Sequence, residues 1–211
     1  MPDIAFAKSA LPRSGALVLL IAEDATPDAL HAAADEATGG AIARALEAAE
    51  FKGAKAKSVT ILAPGAGLSR VVAVGLGKEA ALTPRMLEEV GGAVWSEIAR
   101  DSAATIAAGA LTAEQAASVA LGALLKSYRF DRYRTKEKPE DKPRLAKISV
   151  LAANPAAARD AWAAMSPVAD AVSLTRDLVS EPPNVLNPAE MAERCRKLEE
   201  FGVCVACNPV N

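Results

Sequence analysis

Six short apolar runs punctuate the chain: IAFA (4–7), ALVLLIA (16–22), SVTILA (58–63), RVVAVGLG (70–77), ATIAAG (104–109) and KISVLAA (147–153). They are rich in Val, Ile and Leu and are continuous more than alternating, which suits strands covered on both faces. Between them the spacing changes. After Pro84, residues Leu87, Val90, Val94 and Ile98 fall on one helical stripe. Strands alternating with helices predict an α/β layered domain on a largely parallel or mixed sheet.

Polar residues mark where the helices start. Thr26-Pro27, Thr83-Pro84, Asn154-Pro155 and Asn187-Pro188 each pair a side chain able to cap an orphan N–H with a proline. Proline at the first helical position loses no needed hydrogen bond. TAEQ (112–115) has the spacing of a capping box, and Asn187 and Glu190 repeat it. From Asn154 to Val179 the pattern is helical, but Ser166-Pro167 interrupts it, so two helices or one kinked helix are expected. SEPPN (180–184) ends that helix, because Glu181 precedes proline and is pushed out of the α region. Residues 180–187 then read as a stiff connector between helices. The charged segment YRFDRYRTKEKPEDKPRL (128–145) reads as a solvated excursion or hairpin before the next strand.

Composition refines this picture. Half the residues are apolar but only 4% are aromatic. Much of the apolar fraction is alanine, so the helices should pack closely on small side chains. With 24 basic and 26 acidic residues, charge gives no reason to expect nucleic acid or an anionic membrane as partner. Three cysteines, an odd number, argue against a disulfide framework and fit a reducing compartment. GALVLLIA (15–22) is too short for a membrane span and is followed by Glu23-Asp24, so it reads as a strand and not a signal peptide. These features predict a soluble, cytoplasmic protein.

Local motifs assemble no catalytic constellation. VGLGKEA (74–80) matches G-x-G-x-x-A, yet the next helix is expected to begin at Thr83-Pro84, too late for its N–H groups to meet a phosphate there. It reads as a glycine-permitted turn, as does PGAGLSR (64–70). CVAC (204–207) is half a zinc site, with only Cys195 and the distant His31 to complete it, and reads as part of the apolar strand FGVCVAC. His31, the single histidine, reads as a surface or half-buried helix residue without a nucleophile at triad spacing. Glu88-Glu89 and Glu199-Glu200 read as solvated helix faces, since adjacent helical side chains diverge.

Three segments taken together, RVVAVGLGK, ALGALLKSYRFDRYRTK and TRDLVSEPPNVLNPAEMAERCRKL, resemble the leucyl (cytosol) aminopeptidase family. The likeness runs from about residue 3 to Val203 and is sharpest at Arg176-Asp177-Leu178, Pro182-Pro183-Asn184 and Pro188. It implies a three-layer α/β/α, macro-domain-like N-terminal domain over 1–153, a linker helix over 154–179, and the start of a catalytic domain over 180–211. It also implies hexamers that remove N-terminal residues from peptides, using two divalent metals (zinc, manganese or magnesium) bridged by a water. The family's NTDAEGR-type motif and its lysine-bearing glycine-rich stretch do not occur in this sequence. No catalytic, cofactor-binding or metal-ligating residue therefore maps onto it, and the chain alone is expected to be inactive. The rival expectations are a nucleotide or ADP-ribose binding module, with the ligand at the loop after VVAVG, and a structural or assembly fragment.

Overall fold

The computed structural model describes residues 1–23, 26–202 and 204–206. Each of the six apolar runs is a strand: β1 (Asp3–Ala7), β2 (Gly15–Ala22), β3 (Ser58–Gly65), β4 (Leu68–Gly77), β5 (Ala104–Ala107) and β6 (Lys147–Leu151). They form one sheet in the order β1-β6-β5-β2-β4-β3. All neighbours are parallel except the β3–β4 hairpin, which is antiparallel. In β3, unlike the inner strands, half-buried Val59 and Ile61 alternate with exposed Ser58, Thr60 and Leu62. It is an edge strand. The Ser58 and Thr60 hydroxyls donate to the Glu97 carboxylate at 2.8 and 2.9 Å, which gives its polar face a partner.

Burial on both sides explains the continuous runs. In β2, Leu17 and Leu19 join Ala34 and Ile42 from α1 (Ala29–Ala37) and α2 (Ala41–Ala48). Ala16, Val18 and Leu20 face the other way. They pack with Val90, Val94 and Ile98 of α3 (Pro84–Ile98), Ala116 and Ala120 of α4 (Ala113–Ser127), and Ala158 at the start of α5 (Pro155–Ser180). The result is a three-layer α/β/α domain, in which successive strand residues point to opposite cores. The predicted stripe Leu87, Val90, Val94 and Ile98 is fully buried.

Small residues set the spacing of α3 and α4. A Cβ at Gly122 would lie 1.9 Å from the Glu88 carbonyl oxygen, and one at Gly91 would lie 2.0 Å from that of Val119. The two backbones touch where glycines face each other. Helix α4 is buried from Ala116 to Leu124, so it lacks the polar face of a surface helix.

Four of the five predicted caps form. Thr83, Thr112 and Asn187 accept the expected backbone N–H groups, and Asn154 Oδ1 accepts from Ala157 N at 3.1 Å. Thr112 and Gln115 complete both bonds of the capping box. Thr26-Pro27 is the exception. Helix α1 begins at Ala29 and is capped by Asp28, whose carboxylate accepts the His31 N–H at 2.8 Å. A carboxylate two residues later wins over the threonine because it is also the better partner for the helix N-terminus. The segment 128–145 holds one short 3-10 turn, Pro139–Asp141, and no hairpin.

The chain divides into two compact units, Met1–Asp170 and Ala171–Asn211. Helix α5 is continuous through Pro167, so the interruption predicted at Ser166-Pro167 does not split it. The carbonyl that loses its partner belongs to Ala163, an exposed residue that water can serve. In the second unit, the Val185 and Leu186 N–H groups both donate to the Pro182 carbonyl at 2.9 Å, tightening the connector. Helix α6 (Pro188–Arg196) follows, and its Arg194 reaches back to Glu181, whose side chain is only 1% exposed. The strand predicted for FGVCVAC is not formed at Cys204–Ala206, which have no regular structure; Val203 and Cys207 lie outside the described residues. A lone apolar run has no ladder to join within this unit, where no other strand occurs among the described residues.

Gly122→Ala should destabilise the protein by about 3 kcal/mol through helix displacement. Gly92→Ala, whose Cβ meets nothing closer than the Lys126 Cβ at 3.8 Å, should instead stabilise it by about 0.5–1 kcal/mol. Urea unfolding of the two variants checks the opposite signs. Arg194→Leu removes a charged partner of Glu181, and hydrogen exchange at Val185 and Leu186 should then accelerate.

Candidate functional site

A cavity of about 550 Å³ opens beyond the carboxyl ends of β2 and β4. Outside the carboxyl ends of parallel strands is where α/β sheets usually present ligand sites. Its floor is Leu19–Ala22 and Leu76; its walls come from α1, α2 and Leu111 beyond β5. Most of the lining is aliphatic. The polar lining consists of the carboxylates Asp28, Asp35, Glu36 and Glu79 with Thr26 and His31, and no Lys or Arg lines the cavity among the described residues.

The one imidazole sits in that wall. His31 is half-buried in α1, as expected from sequence, with its side chain 12% exposed and Nδ1 2.6 Å from Asp28 Oδ1. An ionised carboxylate only accepts, so Nδ1 carries the proton; in the neutral ring Nε2 then holds a lone pair. Nε2 is buried and has no hydrogen-bond partner among the described residues. Burial opposes ionisation of Asp28. The His31 backbone N–H, the His31 ring and the Leu30 N–H outweigh it and hold this carboxyl below its ordinary value. Asp35 has a structural task as well, because Oδ1 accepts the Ala43 N–H of α2 at 2.9 Å.

The glycine fingerprint has another use. A Cβ at Gly75 would lie 2.0 Å from the Ala54 carbonyl oxygen, because residues 53–57 run against the end of β4. Gly75 N–H donates to Lys57 and Gly77 N–H to Gly53, each at 2.8 Å. The amides that would cradle a pyrophosphate are spent on the chain itself. Helix α3 starts at Pro84, beyond the motif, as expected. In PGAGLSR, Ala66 and Gly67 turn the β3–β4 hairpin with φ of 53° and 79°, the positive values a two-residue hairpin loop needs.

The remaining candidates do not converge. Glu89 pairs with Lys55 at 2.7 Å on the surface, while Glu88 is half-buried against α4. Glu199 and Glu200 lie in a 3-10 turn, Lys197–Phe201. Arg129 pairs with Glu137, whose carboxyl is held below its ordinary value by that hydrogen bond. The Arg132 guanidinium stands over the Phe130 ring at 5.8 Å. No group of three or more His, Cys, Asp or Glu side chains able to hold a metal ion occurs among the described residues. These residues do not fit a two-metal centre. Sequence reasoning missed the cavity wall itself; its available signal was the Asp-x-x-His spacing of Asp28 and His31 at a helix start.

A three-layer α/β/α domain with an open, mostly parallel sheet and a cavity at its strand ends defines the class. Within that class, residues 18–137 match the sequence model described as "Cytosol aminopeptidase family, N-terminal domain", and the chain belongs to this family. A "Probable cytosol aminopeptidase" of Chelativorans sp. (strain BNC1) is 40% identical over 210 residues, which cover 97% of this chain and 42% of the relative. The chain thus spans about two fifths of the length of such relatives. Among solved structures, a tomato leucine aminopeptidase mutant superposes with a TM-score of 0.79 at 24% identity, over 95% of this chain and 42% of that one. The bottromycin maturation enzyme BotP in complex with Mn gives 0.63 at 24% identity, over 90% and 36%. These two likenesses bear on fold.

Asp28→Ala should cost about 1 kcal/mol by uncapping α1, whereas Asp28→Asn, itself a good cap, should cost less. Because the folded carboxyl titrates below its unfolded value, the Asp28 contribution is present at neutral pH and is lost as pH falls through the folded pKa. Acid denaturation of the Asn variant should therefore show a shallower loss than the wild-type chain.

Proposed function

We propose that this chain is the N-terminal, non-catalytic portion of a two-metal aminopeptidase that removes N-terminal residues from peptides. In this reading residues 1–153 are the α/β domain, 154–179 the linker helix, and 180–211 the opening of the catalytic domain. What carries it is the family match over 18–137, joined to 40% identity over 97% of the chain with a relative more than twice as long. The catalytic metals, zinc, manganese or magnesium, are held elsewhere in the whole enzyme; the manganese of the bottromycin enzyme supports a divalent ion of this kind. Hexamer formation and a cytoplasmic location belong to the same proposal. No helix among the described residues is long and apolar enough to cross a membrane.

The division of labour follows from chemistry. Two-metal hydrolysis needs ligands that fix both ions and a polarised water between them. The α/β domain supplies a rigid body and surfaces, and its contribution is to assembly and to access. The test is an assay of the purified chain with leucine p-nitroanilide and added manganese. No turnover above the metal-only control is expected; metal-dependent hydrolysis by this chain would overturn the reading. Sizing chromatography of the same sample reports whether hexamer contacts lie within these residues.

A further inference from the structure

We propose that the cavity at the ends of β2 and β4 binds a neutral, apolar small molecule of roughly ten to twenty non-hydrogen atoms. The inference goes beyond the proposed function, which gives this end of the domain no ligand. A volume of about 550 Å³ lies within the range of small-molecule sites and would not hold two turns of a partner's helix. Buried aliphatic side chains, Leu20, Ile42, Leu76 and Leu111, form the inner surface, with half-buried Leu46 and Phe51 beside them. Both cores of the domain contribute, Ile42 from one and Leu20, Leu76 and Leu111 from the other. The lining is therefore held in place by packing that needs no ligand.

Polar recognition is already spent on the protein or on water. Asp28 accepts the His31 N–H and pairs with its ring, and Asp35 accepts the Ala43 N–H. The His31 ring offers the cavity no nitrogen, because Nδ1 faces Asp28 and Nε2 is buried away from solvent. Thr26, Glu36 and Glu79 are exposed and keep their hydration. The backbone near the strand ends is bonded as well, Glu23 N–H to the Gly77 carbonyl at 2.9 Å and Leu111 N–H to that of Ala108 at 3.1 Å. Water inside finds few of the hydrogen-bond partners it needs, so apolar atoms displace it at a gain. Removal of hydrocarbon from water is what remains to drive binding. The carboxylates set only a limit. An anion entering beside them is repelled, and no lining Lys or Arg among the described residues offsets this.

The test is displacement of the neutral fluorophore N-phenyl-1-naphthylamine from the 211-residue chain, with hexanol, octanol, octanoate and octylammonium as competitors. The fluorophore should bind saturably, at about one molecule per chain. Octanol should displace it about tenfold better than hexanol, the gain expected for two further buried methylenes. Octanoate should compete about tenfold less well than octanol, and octylammonium no better than octanol. Ala32→Trp and Ala43→Phe, both at exposed positions on the wall, should each weaken binding about fivefold or more by filling the space. Val179→Ser removes an exposed apolar side chain that does not line the cavity and should leave binding unchanged. Thermal melting confirms that each variant is folded. Absence of saturable binding overturns the proposal. So does octanoate or octylammonium competing better than octanol, binding unchanged in both wall variants, or binding lost in Val179→Ser.

Discussion

The contact of α3 with α4 at backbone distance governs how the rest of the domain is arranged. Gly91 and Gly122 sit where a single methyl group would meet a carbonyl oxygen of the other helix at 2.0 or 1.9 Å. Two 15-residue helices can therefore lie side by side on one face of the sheet as a thin, dense layer. Alanines at 116, 117, 120 and 123 extend that layer, all of them buried. A chain with 4% aromatics fills this layer by bringing backbones together instead of by packing rings. The opposite face has no equivalent. Helices α1 and α2 are nine and eight residues long and cover the sheet less completely. The cavity opens over the ends of the strands, where α1 and α2 wall it beside Leu20, Leu76 and Leu111 of the core on the α3–α4 face.

Much of this was legible in the sequence, and the reason is locality. Strands buried on both faces announce themselves as continuous apolar runs. A capping box such as Thr112-Gln115 is complete within four residues, and its two bonds form as the spacing implies. Errors arise where a local rule has a nearby competitor or a distant partner. Thr26-Pro27 is a sound start signal, but Asp28 supplies a charged acceptor that satisfies the His31 N–H and ring together. Pro167 left two helices or one kinked helix open; α5 is a single helix through it, and the proline's missing N–H falls opposite the carbonyl of exposed Ala163. The run at 58–63 reads as continuous along the chain, and its edge position is a property of the sheet order, in which β3 is terminal beside β4.

The glycines of VGLGKEA show the limit most clearly. Sequence identifies a place where backbone must come close to something, and it cannot say to what. In a dinucleotide fold the approaching group is a phosphate; here it is the chain segment at 53–57, which takes the N–H groups for itself. The cavity wall is non-local in the same sense. Asp28, Asp35, Glu36 and Glu79 are ordinary surface carboxylates when read along the chain, and the return of β4 beside β2 is what brings Glu79 to the others. Only Asp28 and His31 carry a hint of it, because both lie on one turn of helix.

Fold and chemistry therefore act independently at the strand ends. A parallel sheet with a crevice outside its carboxyl ends offers a ligand position on geometric grounds alone. The groups that reach this position determine what can occupy it, and they differ from those a nucleotide needs in sign as well as in number. Membership of a family constrains the scaffold tightly, as the close superposition on a plant leucine aminopeptidase shows at only 24% identity. It constrains the wall of a cavity far less, because a wall can change one side chain at a time while the core behind it stays fixed. Leu19 and Leu20 illustrate the separation: both help floor the cavity, yet both are held by the packing of opposite faces of β2, independently of anything the cavity might hold.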